Sequence, residues 1–284
     1  ACSSSTAAYI RSLIDSFCPN VLLVEEAAEL HESHILTNVS SRIKHLIMIG
    51  DHKQLRPKLQ SYTLKKESGN GIDFDVSLFE RLVLAGYPYA TLQVQHRMRP
   101  EISSLIKCTY PDLQDHTTTL DRNDIRGVAK NVVFVDHRQP EAGGSEESLL
   151  VDTSSKYNEY EVNMLLKIAR YLLQQGYQGK DIVILTPYLG QLMLLRKNMK
   201  KFPDVFKVEM SDRDEQDVAN LDGDEDQDEA QAKQAINAPQ IRIATIDNYQ
   251  GEESKIVLAS LVRSNDRNDI GFVSTAERVN VLMS

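Results

Sequence analysis

Glu25 and Glu26 are adjacent carboxylates placed directly after four branched apolar residues, Val21-Leu22-Leu23-Val24. At the end of a buried strand, one such acid can hold Mg²⁺ beside phosphates while its neighbour polarises an attacking water. Metal-assisted nucleotide hydrolysis requires both. Taken alone, the stretch fits a buried strand ending in a solvated acidic turn equally well. A second cluster, Gly50-Asp51-His52-Lys53-Gln54-Leu55-Arg56-Pro57, follows the apolar run Leu46-Ile47-Met48-Ile49. Gly50 permits a tight exit from a strand, and Asp51, Lys53, Gln54 and Arg56 are suited to phosphate or metal. Arg97, in Gln95-His96-Arg97-Met98-Arg99-Pro100, offers the rigid planar fork that matches phosphate. Singly, Arg97 reads as a surface arginine, Gln54 is uninformative, and Glu252-Glu253 reads as a solvated turn.

Elements must position these groups. Short apolar runs with no polar side suit strands buried on both faces of a parallel sheet, and such sheets present their chemistry beyond the carboxyl ends of their strands. Val21–Val24, Leu46–Ile49, Ala90–Val94, Val132–Val135, Ile182–Leu185, Ile241–Ile246 and Ile256–Val262 are the predicted strands. Ile10, Leu13, Ile14 and Phe17 have helical spacing, and Ser77-Leu78-Phe79-Glu80 has the spacing of a capping box. Pro100 opens a predicted helix carrying Ile102, Leu105 and Ile106. Val162, Leu165, Leu166, Ala169, Leu172 and Leu173 mark one face of a long helix that Gly176 stops. Leu192, Leu195 and Met199 mark the next helix, and residues 277–284 are helical in pattern. Strands alternating with helices predict two α/β domains with mainly parallel sheets, divided at 115/116.

The chain has 284 residues and a formal net charge of −9. Residues 212–229 hold ten acids against one base, Arg213, so the rest of the chain is neutral. Such a run cannot bury enough apolar surface to order itself, which predicts a disordered insertion over about 203–239. Its Asp-rich centre lacks the ligand spacing and terminal Glu of an EF-hand. Cys2, Cys18 and Cys108 have no paired spacing for zinc or disulfides. A reducing compartment, cytosol or nucleus, is expected. No stretch approaches the roughly 20 apolar residues that span a bilayer, and no secretory leader is legible.

Six blocks in order resemble the motor core of superfamily 1 helicases, in the up-frameshift-like branch and nearest the NFX-type zinc-finger helicases of RNA surveillance. They are Val24-Glu25-Glu26-Ala27-Ala28-Glu29, Gly50 to Pro57, Gln95 to Pro100, Thr186-Pro187-Tyr188, Asp247-Asn248-Tyr249-Gln250-Gly251-Glu252, and Arg278-Val279-Asn280-Val281. Each block alone is weak; the ordered set covers nearly the whole chain. The resemblance implies two RecA-like P-loop NTPase domains, the N-terminal one incomplete, with ATP in their cleft and single-stranded nucleic acid across their top. It implies that Glu25 holds Mg²⁺ through water, Glu26 orients the hydrolytic water and Gln54 senses the γ-phosphate. Arg97 would neutralise that phosphate, and Asp51, Gln250, Gly251, Glu252 and Arg278 would serve nucleotide binding. Thr186, Tyr188 and Thr245 would line the strand path, where hydroxyls can hold phosphates and an aromatic can stack on a base. Tyr188 is equally suited to packing, and Ser3 to Thr6 to either a nucleic-acid loop or a flexible start. The family's usual acidic pair is Asp-Glu, so Glu25 is a departure, one methylene longer.

No Gly-x-x-x-x-Gly-Lys-Ser/Thr occurs, and Gly176-Tyr177-Gln178-Gly179-Lys180-Asp181 has the wrong spacing for a phosphate loop. In the family that loop lies upstream, and the last motif continues into an arginine beyond Ser284. Hydrolysis by this chain alone is therefore not expected. The expected function is that of a monomeric, ATP- and Mg²⁺-dependent RNA helicase or translocase core, with single-stranded RNA and other RNA-processing proteins as partners. A catalytically silent RNA clamp or scaffold and a DNA helicase are its rivals.

Overall fold

The computed structural model describes residues 1–59, 61–142, 155–221 and 238–284. By their contacts these form two compact units, Ala1–Gln93 and Val94–Ser284. Residues 94–115, placed with the first half by the sequence pattern, group with the second unit.

In the first unit, β1 (Val21–Val24) pairs in parallel with β2 (His45–Met48), with Val21 opposite His45 and Val24 opposite Met48. Helices α1 (Ser4–Tyr9), α2 (Arg11–Ser16), α3 (Glu32–Leu36) and α4 (Leu78–Leu84) complete it. The expected burial of β1 on both faces is not met: Leu23 is 55% exposed, and Val21 and Ile47 are also exposed. Among the described residues only two strands bond in this sheet, and neither α1 nor α2 buries a residue against it. What is buried gathers instead around Ala27, Ala28, Ile35 and Leu78.

The expected capping box on α4 forms by half. Ser77 Oγ accepts from the Glu80 N–H at 3.1 Å. The Glu80 carboxylate turns instead to Arg56, accepting from Nε and Nη2 at 2.9 Å each, with Lys66 Nζ at 3.4 Å. Burial pushes the Glu80 carboxyl upward, but the hydrogen bonds and charges of Arg56 and Lys66 outweigh it and hold it below the ordinary glutamate value.

The second unit is built on a four-stranded parallel sheet ordered β6 (Lys207–Glu209), β7 (Gln240–Thr245), β5 (Ile182–Thr186), β8 (Ile256–Ala259). Central β5 is buried at every residue, as its unbroken apolar run requires. One face packs Ile182, Ile184, Ile241 and Ile243 against α6 (Glu159–Gln174) and α7 (Leu189–Lys200), which contribute Leu172, Leu192, Leu195 and Met199. Asn158 caps α6, its Oδ1 accepting from the Tyr160 and Glu161 N–H groups. The opposite face packs Val183, Leu185, Ala244 and Ile246 against Val281 and Leu282 of α9 (Ala276–Met283).

Three expectations change here. The strand predicted at Ala90–Val94 shrinks to β3 (Val94–Gln95), which pairs with β4 (Gln114–Asp115) ahead of α5 (Pro100–Ile106). Val132–Val135 forms no strand, and Phe134 is 79% exposed. A β-branched run becomes a strand only where a neighbour supplies the ladder, and among the described residues none pairs with it. Finally, the expected disorder over 203–239 is corrected at its front: β6 is followed by α8 (Asp212–Ala219). Ser211 Oγ caps α8 by accepting from Asp214 N–H at 3.1 Å. Asp212, Asp214 and Glu215 lie where the helix dipole favours acids, and Val218 is buried. Residues 222–237 lie outside the described residues, as do the remaining six acids of the run. Among the described residues no helix is long and apolar enough to cross a membrane.

Candidate active site

In the first unit the structure brings the two sequence clusters together. The Ile49 N–H donates to Val24 O at 2.8 Å, and the Ala27 N–H donates to Ile49 O at 2.9 Å, so the exits of β1 and β2 stay bonded past the ladder. Between them Glu26 adopts φ +48°, a left-handed conformation uncommon for a residue with a side chain. Glu25 and Glu26 are both exposed. Gly50 has no room for a side chain: a Cβ there would lie 2.9 Å from Ala28 N and 3.1 Å from Ala27 N. The glycine is required by backbone approach, a more specific reason than a tight exit. Gly50→Ala is therefore expected to destabilise the unit by about 1–3 kcal/mol, read by denaturant unfolding; an unchanged midpoint would contradict the close approach.

Beyond Gly50, Asp51 organises its own turn. Its Oδ1 accepts from the Lys53 N–H at 3.0 Å and its Oδ2 from Gln54 Nε2 at 3.3 Å. Gln54 is thereby oriented by Asp51. Arg56, suited by type to phosphate, is committed to Glu80.

In the second unit Thr186 and Tyr188 follow β5, and Thr245 and Asn248 follow β7, at carboxyl ends where an open parallel sheet places its chemistry. Gly251 to Glu253 lie instead on the return towards the start of β8, where Ser254 Oγ donates to the Asp181 carbonyl ahead of β5. Arg97 donates from Nε to Glu253 Oε2 at 2.8 Å and from Nη1 to the Ser284 carbonyl at 3.2 Å, with its side chain 44% exposed. Gly251, at φ +82°, turns the loop after β7. Glu252 does not stand free: its carboxylate accepts from Arg242 Nη2 at 2.6 Å. Arg278 is likewise engaged, donating to both Asp247 carboxylate oxygens at 2.9 and 3.2 Å while lying over the Phe272 ring. Gln250 Oε1 and Arg242 Nε are buried with no hydrogen-bond partner among the described residues.

The three strand-path candidates are inward-facing. Thr186 is fully buried, its Oγ1 accepting from the Tyr188 N–H. Tyr188 is 4% exposed and stacks on Phe272 at 4.9 Å; its hydroxyl accepts from the Phe272 N–H at 3.1 Å and from Arg263 Nη1 at 3.3 Å. Thr245 gives both its N–H and its hydroxyl to Asp214. In this arrangement the Tyr188 ring packs rather than presents a stacking face. Ser3, from the first small polar run, caps α1 by accepting from the Thr6 N–H.

Among the described residues no group of three or more His, Cys, Asp or Glu could hold a metal. Mg²⁺ uses one or two carboxylates plus substrate phosphates and keeps several waters. Glu25, exposed at the end of β1, fits such a loose mode, and the orphaned Gln250 oxygen gives the β7 loop one unused polar atom.

Sequence reasoning missed a buried polar network behind β5 and β8. Val262, fully buried and β-branched, adopts φ +70°. Its N–H donates to Glu161 Oε2 at 3.0 Å and its carbonyl accepts from Asn158 Nδ2 at 3.3 Å. A γ-turn closes across it, from the Arg263 N–H to Leu261 O at 2.8 Å. The turn aims Arg263 at Tyr188, Asp269 and Glu141. Burial works against the Arg263 charge, yet bonds to Tyr188 and Asp269, with Glu141 nearby, raise its pKa above the ordinary arginine value. Asn158 could have been found as a helix cap; Glu161 and Val262, about a hundred residues apart, carried no joint signal.

A family profile described as an AAA domain matches residues 74–284, and a second with the same description matches residues 1–62. NFX1-type zinc finger-containing protein 1 of Mus musculus is 36% identical over 283 residues, covering 99% of this chain and 12% of the mouse protein. Helicase required for RNAi-mediated heterochromatin assembly 1 of Schizosaccharomyces pombe is 32% identical over 277 residues, covering 96% of this chain and 23% of its own length. Regulator of nonsense transcripts 1 of Caenorhabditis elegans is 30% identical over 291 residues, covering all of this chain and 23% of its own length. The chain thus spans 12% of the mouse relative and about a quarter of the other two.

Proposed function

The chain belongs to the AAA-domain helicases of superfamily 1, in the up-frameshift-like branch, and from that premise we propose that it is the motor part of an ATP-dependent RNA helicase or translocase. One observation carries the reading: exposed Glu25 and the left-handed Glu26 meet the Gly50–Gln54 turn at the joined exits of two parallel strands. Glu26 orients and deprotonates the attacking water. Glu25 is the carboxylate that would hold Mg²⁺, and Gln54, aimed by Asp51, is placed to read the γ-phosphate. When bound, Mg²⁺ would supply charge neutralisation on the phosphate oxygens. Arg97 offers a guanidinium of the kind that phosphate recognition uses, held in place by Glu253.

Two relatives whose names refer to RNAi and to nonsense transcripts favour RNA as the strand and RNA-processing proteins as partners. Cytosol or nucleus belongs to the same reading, with Cys2, Cys18 and Cys108 all free and exposed. The runner-up, a strand-holding clamp without turnover, draws on the internal ion pairs of Glu252 and Arg278.

The test is ATP turnover by the full-length polypeptide with no strand, with single-stranded RNA and with DNA of matched sequence. Stimulation of at least about tenfold by RNA, and less by DNA, is expected, because only RNA offers 2′-hydroxyl contacts. Equal stimulation by both strands would favour a DNA-competent motor. RNA binding without turnover would establish the clamp.

A further inference from the structure

We infer that Asp214, carried by α8 in the acidic segment, is a positioning residue for the loop Thr245–Glu252 and thereby joins that segment to the motor. The loop's role in turnover rests on the motor reading above; the positioning does not.

Asp214 is fully buried, and no cation pairs with it among the described residues. A carboxylate in that setting is tolerated only when hydrogen bonds replace its water. Here they do. Oδ1 accepts from the Thr245 N–H at 3.1 Å, the Thr245 hydroxyl at 2.9 Å and Asn248 Nδ2 at 2.8 Å. Oδ2 accepts from the Ser211 hydroxyl at 2.8 Å. One turn along α8, Asp217 Oδ2 takes a second bond from Asn248 Nδ2 at 2.9 Å.

The bonded partners are not scattered. Thr245 ends β7 and Asn248 ends the 3-10 turn that follows, so Asp214 grips the loop at two points, on its entry and one turn later. Tyr249, Gln250, Gly251 and Glu252 come next, and Asp247, between the two gripped residues, holds Arg278. α8 reaches this position because it lies in the crossover from β6 to β7, directly upstream of the strand whose exit it braces. A helix kept only for packing would need Val218, its buried apolar residue, and no buried carboxylate aimed at a motif loop.

Three variants of the full-length polypeptide separate positioning from packing. Asp214→Ala removes the acceptor from the Thr245 N–H and hydroxyl, while Asn248 Nδ2 keeps its bond to Asp217. Asp214→Asn keeps an Oδ1 acceptor. Val218→Ala loosens α8 without touching the network. In Asp214→Ala, amide exchange over Thr245–Glu252 is expected to quicken about tenfold beyond that of Val218→Ala, with most protection restored in Asp214→Asn. With saturating single-stranded RNA, kcat of Asp214→Ala should fall at least about fivefold while KM for ATP moves less than about twofold. Equal exchange in Asp214→Ala and Val218→Ala would overturn the positioning. Faster exchange with undiminished kcat would overturn the link to the motor. Should the unmodified full-length polypeptide show no RNA-stimulated turnover, the motor reading fails, and the exchange comparison still decides whether Asp214 positions the loop.

Discussion

Glu26→Gln is expected to lower ATP turnover by about 10²- to 10⁴-fold, the range that a positioned general base supplies. Affinity for nucleotide and for single-stranded RNA should stay within about threefold, because the amide keeps the size and reach of the acid and loses only its basicity. The backbone matters to this comparison. Glu26 sits at φ +48°, and Gln bears the same cost there as Glu, so the variant isolates chemistry from strain. Phosphate release and equilibrium nucleotide binding, measured on the same preparation of the full-length polypeptide, give the two quantities. Turnover that survives the substitution would remove Glu26 from the mechanism and leave its conformation without a catalytic reason.

The second large effect is on stability. Glu80→Ala is expected to destabilise the first unit by about 3 kcal/mol, near the lower end of what breaking a buried pair costs. Glu80 is almost fully covered while Arg56 keeps part of its side chain in water, which softens the loss. Replacing both partners, as Arg56→Met with Glu80→Leu, should recover most of it, because no charge is then left unpaired. The pair also sets an acid limit. The folded Glu80 carboxyl lies below its unfolded value, so the unfolded chain takes up the proton first as pH falls. Its contribution is complete above about 4.3, the unfolded glutamate value, and disappears as pH drops through the lower folded value. The gap in urea midpoint between wild type and Glu80→Ala should therefore be widest at neutral pH and narrow progressively as pH falls below the unfolded value. A gap that stays constant through the whole acid range would mean that the loss is one of packing rather than charge.

How far the sequence spoke depends on the range of the interaction. In the second sheet β5, β7 and β8 were legible because buried strands are apolar, and Ile182 to Leu185 of β5 are, whereas β6 fell inside the stretch expected to be disordered. The helices α6 and α7 were legible because their buried positions recur at the helical period. Val132–Val135 misled because β-branched character reports suitability for a sheet and not the presence of a neighbour. The front of the acidic run misled for the opposite reason: its composition argues for solvation, while Ser211 as cap and Val218 as anchor order α8 locally. In the site, motif spacing placed Glu25, Glu26, Asp51 and Gln54 at strand exits. It could not show that Arg56 was already taken by Glu80, Glu252 by Arg242 and Arg278 by Asp247. Those commitments join residues ten or more positions apart, and no single-residue property encodes them.

The place of α8 has a consequence for how relatives should be aligned. Within one acidic run, Ser211, Asp214, Asp217 and Val218 are tied to their identities by what they touch. An alignment scored on acidity would slide freely along the run. The spacing Ser211-x-x-Asp214, paired with Thr245-x-x-Asn248 downstream, gives a fixed diagnostic: four positions joined by hydrogen bonds across some thirty intervening residues.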